Sequence, residues 1–295
     1  MSLAKTRVPM RDHDYGMSDA ELASAPTVFR SDLLKDRTII ISGGGSGLGK
    51  AMAFLMSRLG GQVMICGRRE EKLAETAAAI QEHVGVEVAH HAMTIRDPEA
   101  VEELMDVTWK RFGRLDVLVN NGGGQYPQAA IDFSDKGWNA VVDTNLNGTW
   151  YMMQRAARLW QKHGHPGSIV NIVANVARGM PQVAHTCAAR AGVIGLTKSV
   201  STEWAPLDIR VNCVSPGSIA TEGLNVYSEK AVEAFLYSNP MQKLGDAIDI
   251  AEAVTYLAAP SGKFITGEVV TVDGGNAQWG DVWPGGIPDH FNVRR

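Results

Sequence analysis

Thr38-Ile39-Ile40-Ile41-Ser42-Gly43-Gly44-Gly45-Ser46-Gly47-Leu48-Gly49 joins a short β-rich run to the start of a helical pattern through a turn made largely of glycine. Gly43, Gly47 and Gly49 allow, in turn, a tight reversal, close backbone approach to a pyrophosphate, and close packing of the following helix. The free N–H groups at the start of that helix, around Ser46 and Leu48, attract an anion. The strict G-x-G-x-x-G spacing is absent, so the strand-before, helix-after context carries the argument for a dinucleotide site.

The same alternation repeats along the chain. Residues 62–66 read as a second strand before a helix over 69–83, and residues 86–93 as a third before a helix over 98–111. In that helix Asp97-Pro98-Glu99 supplies an N-cap, a first-turn proline and an acidic first turn. Strands over 117–120, 168–172 and 209–214 follow, separated by helices over 138–163 and 186–205. A helix over 246–258 and a last strand over 268–272 complete the pattern. Strands alternating with helices imply parallel pairing through right-handed crossovers. The expected fold is therefore α/β, a doubly wound parallel sheet of seven strands. Residues 1–30 read as a loosely attached arm, 31–278 as a single domain, and 279–295 as a tail rich in tryptophan and proline.

Composition narrows the function classes. The chain has 295 residues, of which 45% are hydrophobic and 20% charged, close to globular averages. A net charge of −4 offers no basic stripe for a phosphate backbone, so no nucleic-acid partner is expected. No apolar run reaches the roughly 18 residues that would span a bilayer, and no membrane association is expected. Cys66, Cys187 and Cys213 are three widely spaced cysteines without metal-ligand spacing, so no metal is expected and a reducing, cytoplasmic setting is. His90-His91 lack partners to complete a metal set. The C-terminal Val293-Arg294-Arg295 is not a Ser-Lys-Leu type peroxisomal address. The 31 glycines exceed the average of about 7% and ask where backbone must come close to something.

The end of the second strand decides which dinucleotide fits. A carboxylate there would bind a ribose 2′-hydroxyl, but this chain reads Cys66-Gly67-Arg68-Arg69. Guanidinium groups suit a 2′-phosphate, and the expected cofactor is NADP(H). The competing reading makes Arg68 and Arg69 solvated residues that open the next helix.

Five ordered motifs over residues 33–277 resemble the short-chain dehydrogenase/reductase family. They are the glycine turn, Asn120-Asn121-Gly122-Gly123-Gly124, Asn145 within Asp143-Thr144-Asn145-Leu146, Pro216-Gly217 with Thr221, and Val272-Asp273-Gly274-Gly275. The resemblance implies a Rossmann domain with the adenine half over the first strands and the nicotinamide near the ends of strands four to six. It places Asn120 and Gly122 along the cofactor cleft and gives the carboxamide to the segment from Ile219 to Thr221. Asn145 would position a water in a proton relay. It also suggests a homotetramer, whose C-terminal tail would cap a neighbouring subunit's site.

The departure from that family is as informative as the match. Its Tyr-x-x-x-Lys should fall at Thr186 and Arg190, and none of the six tyrosines has lysine four residues later. The serine expected after Val170-Asn171-Ile172 is replaced by Val173-Ala174, with Asn175 able to fill the space. Threonine is too weakly acidic to replace the phenol, and arginine keeps its proton near neutral pH. Asn120-Asn121-Gly122-Gly123-Gly124-Gln125, His185, and Ala188-Ala189-Arg190-Ala191-Gly192-Val193 are similar to the peroxisomal trans-2-enoyl-CoA reductases and, more loosely, to 2,4-dienoyl-CoA reductases. That resemblance implies NADPH-dependent reduction of an α,β-unsaturated acyl-CoA thioester. In such a reaction negative charge gathers on the thioester oxygen, which needs donors rather than a tuned phenol.

The expected roles follow from that chemistry. Arg190 orients the nicotinamide ribose and supplies positive charge, Thr186 or the ribose hydroxyls donate to the enolate, and His185 or Tyr126 protonates Cα, directly or through water. Each has a plainer reading: His185 satisfies a backbone group, Thr186 caps a helix, and Tyr126 is a surface loop residue. Residues 218–242 would cover the acyl chain, with Lys230 and Arg178 at a CoA-binding rim. Two rival readings stay open, an alcohol or ketone dehydrogenase acting on a branched or isoprenoid compound, and an inactive NADP-binding sensor.

Overall fold

The computed structural model describes residues 15–227 and 229–279. Seven strands form one sheet, β1 (Thr38–Ser42), β2 (Gln62–Gly67), β3 (Ala89–Ala92), β4 (Val117–Asn120), β5 (Gly167–Ile172), β6 (Ile209–Pro216) and β7 (Val269–Val272). Their spatial order is β3-β2-β1-β4-β5-β6-β7 and every pair is parallel. The order reverses between β1 and β4, so the crevice beyond their carboxyl ends is where a ligand belongs in such a sheet.

Both faces are covered, which is why β1, β4 and β5 are buried at every position. On one side Ile39 and Ile41 pack with α2 (Gly47–Arg58), α3 (Glu70–Val84) and α8 (Ala247–Ala258). On the other, Ile40 and Leu118 pack with α4 (Pro98–Phe112) and α6 (Thr149–His163). Here Trp160 is fully buried, its Nε1 donates to the Leu115 carbonyl at 2.8 Å, and its indole fills the space that a side chain on Gly167 would need. Gly167 is thus a packing requirement.

Several expected elements change shape. The helix over 138–163 is three pieces, α5 (Asp135–Val142), a π-helical turn (Asp143–Gly148) and α6. The third strand shortens to Ala89–Ala92. Asp97 caps α4 as expected, accepting from the Glu99 and Ala100 N–H groups at 2.9 and 3.4 Å.

Residues 15–30 are not loosely attached. A short helix α1 (Asp19–Ser24), closed by a Ser18–Glu21 capping box, buries Leu22 and Ala25 against the core. Arg58 donates to the carbonyls of Leu22 and Ala25 at 3.2 and 2.8 Å, and Lys50 pairs with Asp19 at 2.5 Å. The expected arm over 1–14 and most of the tail, from 280 on, lie outside the described residues. So does the capping of a neighbour's site.

Candidate active site

The glycine turn closes onto the neighbouring strand end. Gly43 sits at φ +69° and Gly47 at φ +52°, a region that disfavours other residues. A side chain on Gly49 would strike the Gly43 carbonyl, so the start of α2 can lie against the turn only as glycine. The Ser42 hydroxyl accepts the N–H groups of Asn121 and Gly122 at 3.1 and 2.9 Å, while the Asn121 amide donates to the Ser42 and Gly43 carbonyls at 3.0 and 3.3 Å. These bonds stitch β1 to β4 at the switch point.

A cavity of about 290 Å³ opens there. It is lined by Gly43, Ser46 and Leu48 on one wall, Arg68, Arg69 and Lys72 on another, and Ile95, Asn121 and Gly122 opposite. Neither Arg68 nor Arg69 pairs with a carboxylate among the described residues. Lys72 does, with Glu75 at 2.7 Å. Lys72 was not among the residues singled out from the sequence, although it stands three and four places after the two arginines, a spacing that brings helical side chains to one side. Gly47 and Gly49 shape the turn without lining this cavity, and Asn121 lines it where Asn120 was expected.

Asn120 lies beneath the cleft. It is 2% exposed, and its Nδ2 donates to Asn171 Oδ1 at 2.8 Å. Asn171 Nδ2 donates in turn to Thr197 Oγ1 at 3.0 Å, and Cys213 Sγ donates to the same oxygen at 3.2 Å. Burial pushes the Cys213 thiol up to about 11, so it stays protonated in this chain of bonds.

Above this layer Arg190, on α7 (Ala184–Glu203), reaches Gly123 and Asn145. Its side chain is almost wholly buried, Nη1 makes no hydrogen bond, and no carboxylate pairs with it among the described residues. Burial brings its pKa down to about 10, which still leaves it cationic near neutrality. Asn145 occupies the π-helical turn, where its Oδ1 accepts from Gly124 N–H at 3.0 Å and its Nδ2 donates to the Gly124 carbonyl at 2.9 Å. Turns of this type recur at functional sites because they re-aim one residue within a helix.

The other expected catalytic residues are placed differently. His185 has no accessible surface, and its ring stacks on Phe133 at 4.6 Å and meets Tyr126 edge-on at 4.8 Å. Its Nδ1 accepts the Thr186 N–H at 2.7 Å, which assigns the neutral ring's proton to Nε2. Burial lowers its pKa, against the carbonyls of Tyr126 and Val183. Thr186 is buried too, with Oγ1 3.2 Å from His185 Nδ1, and α7 begins two residues earlier, so Thr186 is not its cap. The Tyr126 hydroxyl packs on Gly137, away from Arg190.

A second cavity, of about 570 Å³, lies past the ends of β5 and β6. Ala174, in the vacated serine's region, lines it with Asn175, Pro216, Gly217, Phe235 and Trp279. Asn175 is held by the exit of β7. Its Nδ2 donates to Asp273 Oδ2 and Asn276 Oδ1 at 3.1 and 2.7 Å, tying the loop after β5 to the exit of β7. Gly217 is held against Asp273 so closely that a side chain would overlap the latter's Cα. Arg178 lies on the cavity wall, whereas nothing is described of the Lys230 side chain. Ile219 is buried and bridges to Gly245, and Thr221 comes down over Gly47. No group of three His, Cys, Asp or Glu side chains able to hold a metal occurs among the described residues.

Residues 43–277 match the family model described as "Enoyl-(Acyl carrier protein) reductase". A short-chain dehydrogenase from Bacillus anthracis is 36% identical, with TM-score 0.76 over 82% of this chain and 97% of that one. The chain belongs to the short-chain dehydrogenase/reductase family. Among relatives of this oxidoreductase family, the probable 2,4-dienoyl-CoA reductase of Bacillus subtilis is 38% identical over 85% of this chain and all of its own. The citronellol catabolism dehydrogenase of Pseudomonas aeruginosa is 36% identical, with TM-score 0.76 over 85% of this chain and 99% of its own.

Proposed function

We propose that this short-chain reductase uses NADPH to reduce the α,β double bond of an acyl-CoA thioester. The observation that carries the reading is Arg190, a buried guanidinium with no counter-ion among the described residues, where the family's lysine would stand and where no tyrosine accompanies it. A carbinol-oxidising site needs a group that exchanges a proton. A site that stabilises an enolate needs fixed positive charge and donors.

The residues present fit the cofactor. Gly43 and Gly122 wall the cavity where a Cβ would crowd Asn121 or Ser42, and the arginines beside it have no carboxylate partner among the described residues. Ser46, Leu48 and the start of α2 would hold the pyrophosphate, and Arg68, Arg69 and Lys72 a 2′-phosphate. What a bound NADPH supplies is a hydride for the substrate's Cβ.

The chain's own groups do the rest. As Cβ is reduced, the π electrons move to the thioester oxygen, and the Arg190 charge favours that oxyanion. Low local dielectric strengthens the effect. Asn145 fixes Gly124, and with it the loop that lies over Arg190. With His185 Nδ1 taken by the Thr186 N–H and the Tyr126 hydroxyl against Gly137, we assign the proton that completes Cα to cleft water. The second cavity, walled by Phe235, Trp279, Met180 and Pro181, would take the acyl part, with Arg178 beside a CoA phosphate. The three cysteines are free thiols, consistent with a reducing compartment such as the cytoplasm, and we read the assembly as a homotetramer.

The test is NADPH consumption with enoyl-CoA and dienoyl-CoA thioesters beside ketones, aldehydes and isoprenoid alcohols. Turnover of the thioesters supports the proposal. The name of the Pseudomonas relative favours isoprenoid substrates as the second reading, and turnover confined to those would establish it. Nucleotide binding without turnover of any of them would leave a sensor.

A further inference from the structure

The segment before the Rossmann core meets the loop that follows β6. That loop, from Thr221 through the turn Glu222–Val226 to Tyr227, runs from the glycine turn beside the cofactor cavity to the loop after β4. At one end Thr221 overlies Gly47 at the start of α2. In the middle the charge of Glu222 acts on Lys72, a lining residue of the cleft. At the far end the Tyr227 hydroxyl accepts from Gln125 Nε2 at 3.1 Å, in the loop after β4 that continues into the second cavity.

Two contacts tie this loop to the N-terminal segment. The Tyr15 N–H donates to Asn225 Oδ1 at 3.4 Å. Gly16, at φ +129°, lies so that a Cβ would sit 3.5 Å from Glu222 Cγ, a conformation that only glycine adopts readily. The segment is itself anchored. Leu22 is buried, Arg58 holds the carbonyls that end α1, and Asp19 pairs with Lys50. That ion pair also draws Lys50, a cation in the first turn of α2, toward the segment.

Resting on the cofactor reading above, we propose that residues 15–25 are a strap that holds the 221–227 loop beside the cleft and sets the rate at which NADP(H) leaves. Asn225 and Asp19 are its positioning residues. Neither lines the cleft, so their effect passes through the loop.

The test is NADPH release, measured in the full chain by stopped-flow displacement with excess NADP⁺, together with the thermal midpoint. Asn225→Ala and Asp19→Asn should each raise the release rate about fivefold while the midpoint stays within about 2 °C of wild type. Asn225→Asp, which keeps an oxygen for the Tyr15 N–H, should release at the wild-type rate. Release within twofold of wild type in both Asn225→Ala and Asp19→Asn overturns the strap, as does loss of the wild-type rate in Asn225→Asp equal to that in the alanine variant. Failure of the wild-type protein to bind NADPH at all overturns the cofactor reading itself, and that outcome is visible before any variant is made.

Discussion

The Arg190 guanidinium lies where a side chain on Gly123 would have to go, with Asn145 Oδ1 beside the same point. A residue from α7 and one from the loop after β4 therefore share one volume. Glycine at 123 is what lets a bulky cation occupy the place of a lysine.

That relationship predicts that Gly123→Ala and Arg190→Met fail in the same way. Arg190→Met should lower kcat for an enoyl thioester about 100-fold or more, as loss of a preorganised oxyanion donor does. Arg190→Lys keeps the charge and should recover part of the loss. Gly123→Ala, by displacing the guanidinium, should fall between the two. Steady-state NADPH consumption with the fold checked by circular dichroism measures all three.

Arg68 and Arg69 should decide nucleotide preference. Replacing both by alanine should weaken NADPH binding about tenfold or more, a difference of about 1.4 kcal/mol per decade, and leave NADH binding nearly unchanged. Fluorescence titration reports both constants. Equal weakening of the two nucleotides would remove the 2′-phosphate role.

His185 should matter to packing and not to proton transfer. His185→Phe, which keeps the stack on Phe133, should retain most of the activity, and His185→Ala should cost about 3 kcal/mol of stability through the cavity it leaves. Because burial lowers the folded-state pKa, the neutral ring's contribution is complete above the unfolded value of about 6.5 and is lost as pH falls through the folded one. Thermal midpoints taken across that range should slope less steeply in His185→Phe than in wild type.

Asp116 predicts a stability effect without a catalytic one. Its carboxylate accepts from Arg37, from Arg114 twice, and from the Thr38 N–H at 2.9 Å, at the end of the sheet away from the cleft. Burial alone would raise its pKa, but the bonds from Arg114, Thr38 and Arg37 outweigh that and hold it below the usual range. Asp116→Ala should cost about 2 kcal/mol, below the range for a fully buried pair since both arginines are partly exposed. The stabilisation is present above the unfolded pKa near 3.9 and disappears as pH falls through the lower folded value. Chemical denaturation at about pH 7 and pH 3 should show the variant's deficit shrinking in acid, with kcat unchanged at neutrality.

Local rules were enough for the frame. β-branched runs, the Asp97-Pro98 cap and the glycine turn each need only neighbouring residues, so the alternation of strands and helices, the sheet class and the position of the cofactor turn can be read from the chain. The absence of Tyr-x-x-x-Lys is likewise a fact of the chain alone.

Tertiary structure decided what that absence means. Arg190 is 67 residues from Gly123 and 45 from Asn145, and only the crossing of α7 over the π-helical turn brings them together. His185 looks reactive beside Arg190 in sequence, yet helical geometry turns it into the aromatic cluster of Phe133 and Tyr126 while Arg190 faces the loop after β4. Residues 15–25 look like a loosely attached arm because their small and apolar side chains show no sustained period. They become a fitted segment because Leu22, Arg58, Asp19 and Lys50 find partners only once α1 lies on α2. The sequence specifies which groups are present, and long-range packing determines which of them face the same cleft.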